Sequence, residues 1–220
     1  MQYRVKENLK LIQEEIAPYQ PNIIAVTKYF DEYAIVEAYG AGLRNFGESR
    51  VVEASEKIDR LPDYVKDNSQ FHFIGHLQGN KAKKAVEKFD VIHSVDSVKL
   101  AVKISGYAGE IGKIQDILLQ YNNAHEIQKS GFSKEELLES FEKIYKLPNV
   151  RVIGLMNMAP LGASDEILSN LFNDVRATRD ELEQVFDYEL PELSMGMSQD
   201  YAIAVKFGAT MLRIGRKLFG

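Results

Sequence analysis

The chain has 220 residues, and 27 Lys and Arg against 32 Asp and Glu give it a formal charge of −5. Hydrophobic residues make up 45% and charged residues 27%, which excludes a disordered chain, and the acidic balance excludes a general pull toward nucleic acid or anionic membrane. There is no cysteine, so disulfides, thiolate metal sites and a cysteine nucleophile are excluded as well.

The opening MQYRVKENLKLIQEEI scatters charges where a signal peptide would be apolar. No run approaches the ~20 apolar residues of a membrane span. The expectation is a cytoplasmic protein. No repeat, low-complexity tract or Pro/Ser-rich linker marks a boundary, so one domain over residues 1–220 is expected.

Short apolar runs alternate with longer amphipathic stretches. Val5, Leu9, Ile12 and Ile16 form the stripe of a first helix. The run 23–26 is a strand, followed at once by Thr27 and Lys28. Asp31 is placed to cap a helix ending near Gly40. The run 43–46 is a weaker second strand, leading to Gly47, Glu48 and Ser49. A third strand at 71–74 is followed by His76 and Gln78, and the basic segment 80–84 starts a solvated helix. The fourth strand, 91–94, leads to Asp96, and the fifth, 117–121, to Asn122. Ser133 to Glu136 fits a capping box, with Phe132 and Leu137 as its hydrophobic staple. The sixth strand, 152–156, leads to Asn157. Leu168, Leu171, Val175, Leu182 and Val185 follow helical spacing through the longest helix. A weak seventh strand at 192–195 runs into Ser194 to Ser198, with Ser198 placed to cap a short helix that stops at Gly208. The eighth strand, 211–214, is followed by Gly215 and Arg216.

Eight strands of this kind, buried on both faces, form either an open doubly wound sheet or a closed (β/α)8 barrel of TIM type. The barrel is expected, because an open sheet would leave two edges to protect.

Function in a barrel sits at the C-terminal ends of the strands. Lys28 admits two readings there: a strand-end lysine snorkelling to water, or a desolvated lysine with a lowered pKa that forms a Schiff base with an aldehyde. At the other end of the chain, Ser194-Met195-Gly196-Met197-Ser198 and Arg213-Ile214-Gly215-Arg216 offer free amides and glycines to an anion. Barrels often bind phosphate after strands seven and eight. Lysine and anion loops together point to one aldehyde-bearing phosphate ester, a description that pyridoxal 5′-phosphate (PLP) fits. His72 and His76 are four apart, but on a strand and loop rather than a helix, and no nearby carboxylate completes a metal set. Neither a Gly-x-x-x-x-Gly-Lys phosphate loop nor a Gly-x-Ser-x-Gly elbow occurs.

The sequence resembles the pyridoxal phosphate homeostasis protein family, PLP-binding barrels related to the N-terminal domain of alanine racemase (PLP fold type III). The resemblance runs from about Ile23 to Gly220. It is carried by Ala25-Val26-Thr27-Lys28, Phe46-Gly47-Glu48, His72-Phe73-Ile74-Gly75-His76-Leu77-Gln78, His93-Ser94-Val95-Asp96-Ser97, Gly154-Leu155-Met156, Leu193 to Ser198 and Arg213-Ile214-Gly215. It implies that Lys28 is the Schiff-base lysine. Ser198, Gly215 and the backbone at Arg216 would hold phosphate, and Arg213 would face the pyridine nitrogen. Ser49, His76 and Met195 complete the implied cofactor contacts; no catalytic or metal-binding residue is expected. Two positions depart from the family pattern. Ser49 stands where Asn is usual, which shortens or removes a side-chain contact. Arg216 stands where Thr is usual, which removes a hydroxyl and offers a guanidinium instead.

The resemblance implies a protein that buffers PLP or delivers it to apo PLP-dependent enzymes. The alternative is a weak amino-acid racemase, which needs a second acid or base facing the lysine across the cofactor. The chain ends at Gly220, just past the last strand, with no expected second domain to bring one. None of Tyr29, Tyr107, Tyr121 and Tyr201 sits in a motif that singles it out. A phosphate-binding barrel enzyme without PLP is the third class. The protein is expected to be a monomer, with no nucleic-acid or membrane partner.

Overall fold

The apolar runs pair side by side into a parallel sheet whose last strand returns to its first. A computed structural model describes residues 3–124 and 130–220. Its strands are β1 (Asn22–Val26), β2 (Asn45–Glu48), β3 (Gln70–Phe73), β4 (Val91–Val95), β5 (Gln115–Gln120), β6 (Val150–Met156), β7 (Glu192–Met197) and β8 (Met211–Ile214). They hydrogen-bond in chain order and close, with Ile24 of β1 lying between Asn45 of β2 and Arg213 of β8. Closure removes the two edges that an open sheet would expose.

Every expected strand is present; the second begins and ends two residues later than expected, while the third and fifth lie one or two residues earlier. Leu43 and Arg44 fall outside β2 because they are engaged in the turn before it. The Leu43 amide donates to the Ala38 carbonyl, Gly42 takes φ +102°, and the Arg44 guanidinium donates to the carbonyls of Tyr39 and Leu43.

The helices are α1 (Val5–Ile16), α2 (Glu32–Gly40), α3 (Val51–Arg60), α4 (Asp63–Lys66), α5 (Ala82–Lys88), α6 (Val98–Glu110), α7 (Lys134–Tyr145), α8 (Asp165–Phe186), α9 (Tyr201–Ala204) and α10 (Arg216–Phe219). Asp31 caps α2 by accepting from the Ala34 amide at 3.4 Å. Ser133 and Glu136 form the reciprocal capping box of α7, worth about 1 kcal/mol, over buried Phe132 and Leu137. In α8 the buried stripe is Leu168, Phe172, Val175, Thr178 and Leu182. Val185 is exposed, contrary to expectation, because Phe186 takes the inward position and packs against Phe141 and Tyr145. No helix among the described residues is long and apolar enough to cross a membrane.

Two apolar layers result. The larger lies between strands and helices and contains Phe46, Ile92, Leu119, Leu155, Leu193, Met195 and Leu212. The smaller is Val91, Leu118 and Met156, with Ile153 and Met158 packed on it. Val91 is the register partner of His72, so both face the barrel interior. That interior is therefore partly apolar and partly polar.

Candidate functional site

Lys28 follows β1 in a turn and is exposed, with Nζ 5.0 Å from the centre of the Tyr29 ring. Of the two readings open for Lys28, the structure holds the lysine that reaches water, not the desolvated one. Lys28 lies two residues past Val26, the half-buried end of β1, and its ammonium reaches water as soon as the chain turns outward. The residue before it is fixed by a buried ion pair. Lys57 Nζ of α3 donates to Glu48 Oε1 at 2.7 Å and to the Thr27 carbonyl at 2.8 Å. Thr27 Oγ1 also donates to Glu48 Oε1, at 2.7 Å. Nothing in the spacing of α3 marked Lys57 as inward-facing. The only sequence signal was a glutamate at the end of a buried strand.

On the opposite side of the seam, the amides of Gly215 and Lys217, at the start of α10, both point at Ser198 Oγ, each at 3.4 Å. Ser198 does not cap the helix that follows it, as the sequence suggested. That helix begins only at Tyr201, after Asp200, whose Oδ1 accepts from the Met197 amide at 2.5 Å. The carboxylate at Asp200 thus closes the β7 turn and leaves Ser198 facing β8. Gly196 makes the turn possible: it takes φ +91°, and a β-carbon there would sit 2.7 Å from that of Ala204. Arg216, the first residue of α10, is exposed.

Beneath the loops lies Arg213, 4% exposed. Its Nη1 donates to the carbonyl and hydroxyl of Ser194 at 2.6 and 2.7 Å, and its Nη2 to the Asn157 carbonyl at 2.7 Å. Among the described residues these bonds use three of its five N–H groups. Burial pulls the guanidinium down to about 10, against the opposing charge of Asp200, so it remains a cation at neutral pH. Burial pushes the Asp200 carboxyl up, partly offset by the Met197 amide and by Arg213.

A polar chain continues from Ser194 through the barrel. His93 Nδ1 lies 2.9 Å from Ser194 Oγ, His93 Nε2 lies 2.9 Å from His72 Nδ1, and His72 Nε2 lies 3.0 Å from Asn45 Oδ1. The sequence signal for these groups was two histidines inside strands otherwise made of apolar residues. Burial pulls His72 down to about 4 and His93 well below the ordinary range, with the charges of His72 and Arg213 adding at His93. Both are neutral in the fold at neutral pH. Between about pH 6.5 and 4 the unfolded chain binds a proton at His72 that the native one does not. Stability from this source is therefore complete above about pH 6.5 and falls as pH drops toward 4, by roughly 3 kcal/mol for His72 alone. Urea denaturation at about pH 7.5 and pH 5 checks this: the parent is expected to lose about 2 kcal/mol more than His72→Gln on acidification.

Ser49 and His76 are brought together on a different sector of the same face. They line a cavity of about 230 Å³ with Arg50, Gln78 and Lys81. A β-carbon at Gly75 would collide with the Ser49 backbone, so the two strand ends touch directly. His76 is exposed and bonded to Ser130, while His72 is buried against His93, so the two histidines four positions apart do not face each other. Met195 is corrected: it is fully buried in the outer layer. Its neighbour Ser194 points into the barrel, and alternation along the strand turns Met195 away, toward the helices. Of the tyrosines considered, Tyr121 donates to Asp174 at 2.7 Å and Tyr201 to Glu15 at 2.5 Å.

A closed parallel barrel with a lysine after its first strand and an amide cradle after its last defines a class, the alanine racemase N-terminal domain, and that family matches residues 2–220. A pyridoxal phosphate homeostasis protein of Synechocystis sp. is 43% identical over 209 residues, 94% of this chain and 95% of that one. PipY of Synechococcus elongatus, solved without and with PLP bound, is 40% identical. It superposes with TM-scores of 0.91 and 0.88, covering 99% of this chain and 100% of that one. The chain belongs to the pyridoxal phosphate homeostasis protein family.

Proposed function

We propose that this protein binds PLP at the C-terminal face of the barrel and holds it for supply to apo PLP-dependent enzymes, as a cytoplasmic monomer. The observation that carries this reading is the convergence of the Gly215 and Lys217 amides with the Ser198 hydroxyl, close in sequence to a buried Arg213 whose N–H groups are not all used among the described residues. Amides and a hydroxyl suit a phosphate dianion, and a guanidinium, which only donates, suits a pyridine nitrogen that carries no proton. The donor set therefore fits PLP. When bound, PLP supplies an electrophilic aldehyde, and Lys28 is the amine to take it as a Schiff base. Arg213 disfavours protonation of the ring nitrogen, which weakens electron withdrawal from the linked amine and suits storage more than turnover. Arg216 offers its backbone, and from the rim its guanidinium, to the phosphate. The PLP-bound structure of PipY supports the reading.

The racemase alternative has no comparable support. The hydroxyls of Tyr121 and Tyr201 are committed to Asp174 and Glu15.

Titration of the parent with PLP is expected to give a visible absorption band, and borohydride to fix one pyridoxyl group on Lys28, identified by mass spectrometry. Lys28→Ala is expected to lose the fixed adduct and at least tenfold in affinity, about 1.4 kcal/mol. Loaded parent is then expected to activate an apo PLP enzyme. A parent that stays colourless with PLP overturns the reading.

A further inference from the structure

The residues behind Arg213 form one unbroken line. Asn45, His72, His93 and Ser194 come from β2, β3, β4 and β7, and successive polar atoms lie 3.0, 2.9 and 2.9 Å apart. Ser194 Oγ then meets Arg213 Nη1 at 2.7 Å. Neither histidine has a role in the lysine–phosphate reading, and burial of two imidazoles and a serine in a barrel core is costly unless every polar atom is satisfied.

The ends of the line fix its direction. A guanidinium only donates, so Ser194 Oγ accepts from Arg213. Among the described residues His93 Nδ1 is the other partner of Ser194 Oγ, and so the acceptor for its hydroxyl hydrogen. His93 must in turn carry its hydrogen on Nε2 and donate to His72 Nδ1. His72 likewise carries its hydrogen on Nε2 and donates to the amide oxygen of Asn45. With the Asn45 amide oxygen turned toward His72, as it is in the structure, reversing the sense would set His72 Nε2, then an acceptor, against another acceptor. It would also strand the serine hydrogen.

We propose that this chain has the single sense Arg213 to Asn45, with both histidines as neutral Nε2–H tautomers, and that Ser194 and His93 are positioning residues for the Arg213 guanidinium. Ser194 holds two N–H groups of the guanidinium, through its carbonyl and its hydroxyl. The hydroxyl is oriented only because His93 accepts its hydrogen. The guanidinium plane, and with it the N–H groups left for a ligand, is thereby set from inside the barrel. The tautomer assignment is independent of the cofactor. The positioning role rests on the PLP reading above.

Two measurements test this. In protein labelled with 15N-histidine, long-range 1H–15N correlation at neutral pH is expected to show His72 and His93 as Nε2–H tautomers. An Nδ1–H tautomer or an imidazolium at either position overturns the assigned sense. Separately, the parent, Ser194→Ala, Ser194→Thr and His93→Phe are titrated with PLP after their folding is checked by circular dichroism. Ser194→Ala and His93→Phe are expected to bind about tenfold more weakly with a displaced visible band, and Ser194→Thr, which keeps the hydroxyl, to restore the parent's spectrum. If His93→Phe does not fold, the Ala and Thr pair at Ser194 decides. Parent-like affinity and spectrum in Ser194→Ala overturn the positioning role. A parent that takes up no PLP overturns that role together with the PLP reading and leaves the tautomer result standing alone.

Discussion

Lys57→Ala is expected to lower stability by roughly 3–5 kcal/mol, the range for removing one partner of a buried ion pair. Glu48 is 2% and Lys57 7% exposed. Without the ammonium, Glu48 Oε1 keeps the Thr27 hydroxyl among the described residues, and the Thr27 carbonyl keeps the Phe30 amide but loses its charged donor. At about 2–4 °C per kcal/mol for a chain of this size, the melting temperature is expected to fall by roughly 10 °C. The double variant Glu48→Leu/Lys57→Met is expected to recover most of the loss, since a buried pair is often matched by apolar groups of similar volume. Calorimetry of the three proteins checks this. A single variant within about 1 kcal/mol of the parent would show that the pair is not desolvated. The consequence reaches the site, because the carbonyl that Lys57 holds belongs to the residue before Lys28. By contrast, surface pairs such as Lys83–Glu110 and Lys146–Glu142 sit in water, which screens them, and add little to stability.

Gly154→Ala is the second large effect, expected to cost about 3 kcal/mol or to prevent accumulation of folded protein. Gly154 is paired with Leu118 on one side and Glu192 on the other. A β-carbon at this position would overlap the backbone of Glu192, which has no flexible end to yield. The methyl group would push β7 from β6, and in a closed barrel that displacement has no free edge to absorb it. Gly106→Ala is the control. Gly106 lies within α6 with open space around its missing β-carbon, so alanine there is expected to add about 0.5–1 kcal/mol of stability. Chemical denaturation of both variants checks the pair. Equal effects would mean that glycine flexibility, not the close approach to Glu192, decides the outcome at Gly154.

Much of the fold was legible because the signals that encode it are local. The stripe Val5, Leu9, Ile12, Ile16 is buried as its spacing requires, and the caps at Asp31 and Ser133 act within three residues. Local signals failed where two solutions compete over a few residues. Leu43 extends the apolar run of β2 but is engaged by the turn after α2. Ser198 looks like a helix cap, yet Asp200 closes the turn first.

The candidate site was legible in the positions of its ends and not in its middle. Lys28, Gly215 and Arg216 follow strands whose positions periodicity fixes. The partners of Ser198 lie 17 and 19 positions away, and His93 meets Ser194 across 101 positions. The inward facing of Ser194 and the outward facing of Met195 depend on the register of β7, which shifts between Ser194 and Met197.

By itself, then, the sequence determined the eight strands to within about two residues, the helices with a clear stripe or cap, and which residues follow the strand ends, because hydrophobic period and capping are settled within one or two turns of chain. Only the tertiary structure decided that β8 closes on β1, that Lys57 is buried against Glu48, and that two histidines, a serine and an arginine share one hydrogen-bonded line. Those are contacts between elements distant in the chain. Their energy comes from desolvation and strand register, which exist only once the barrel has closed.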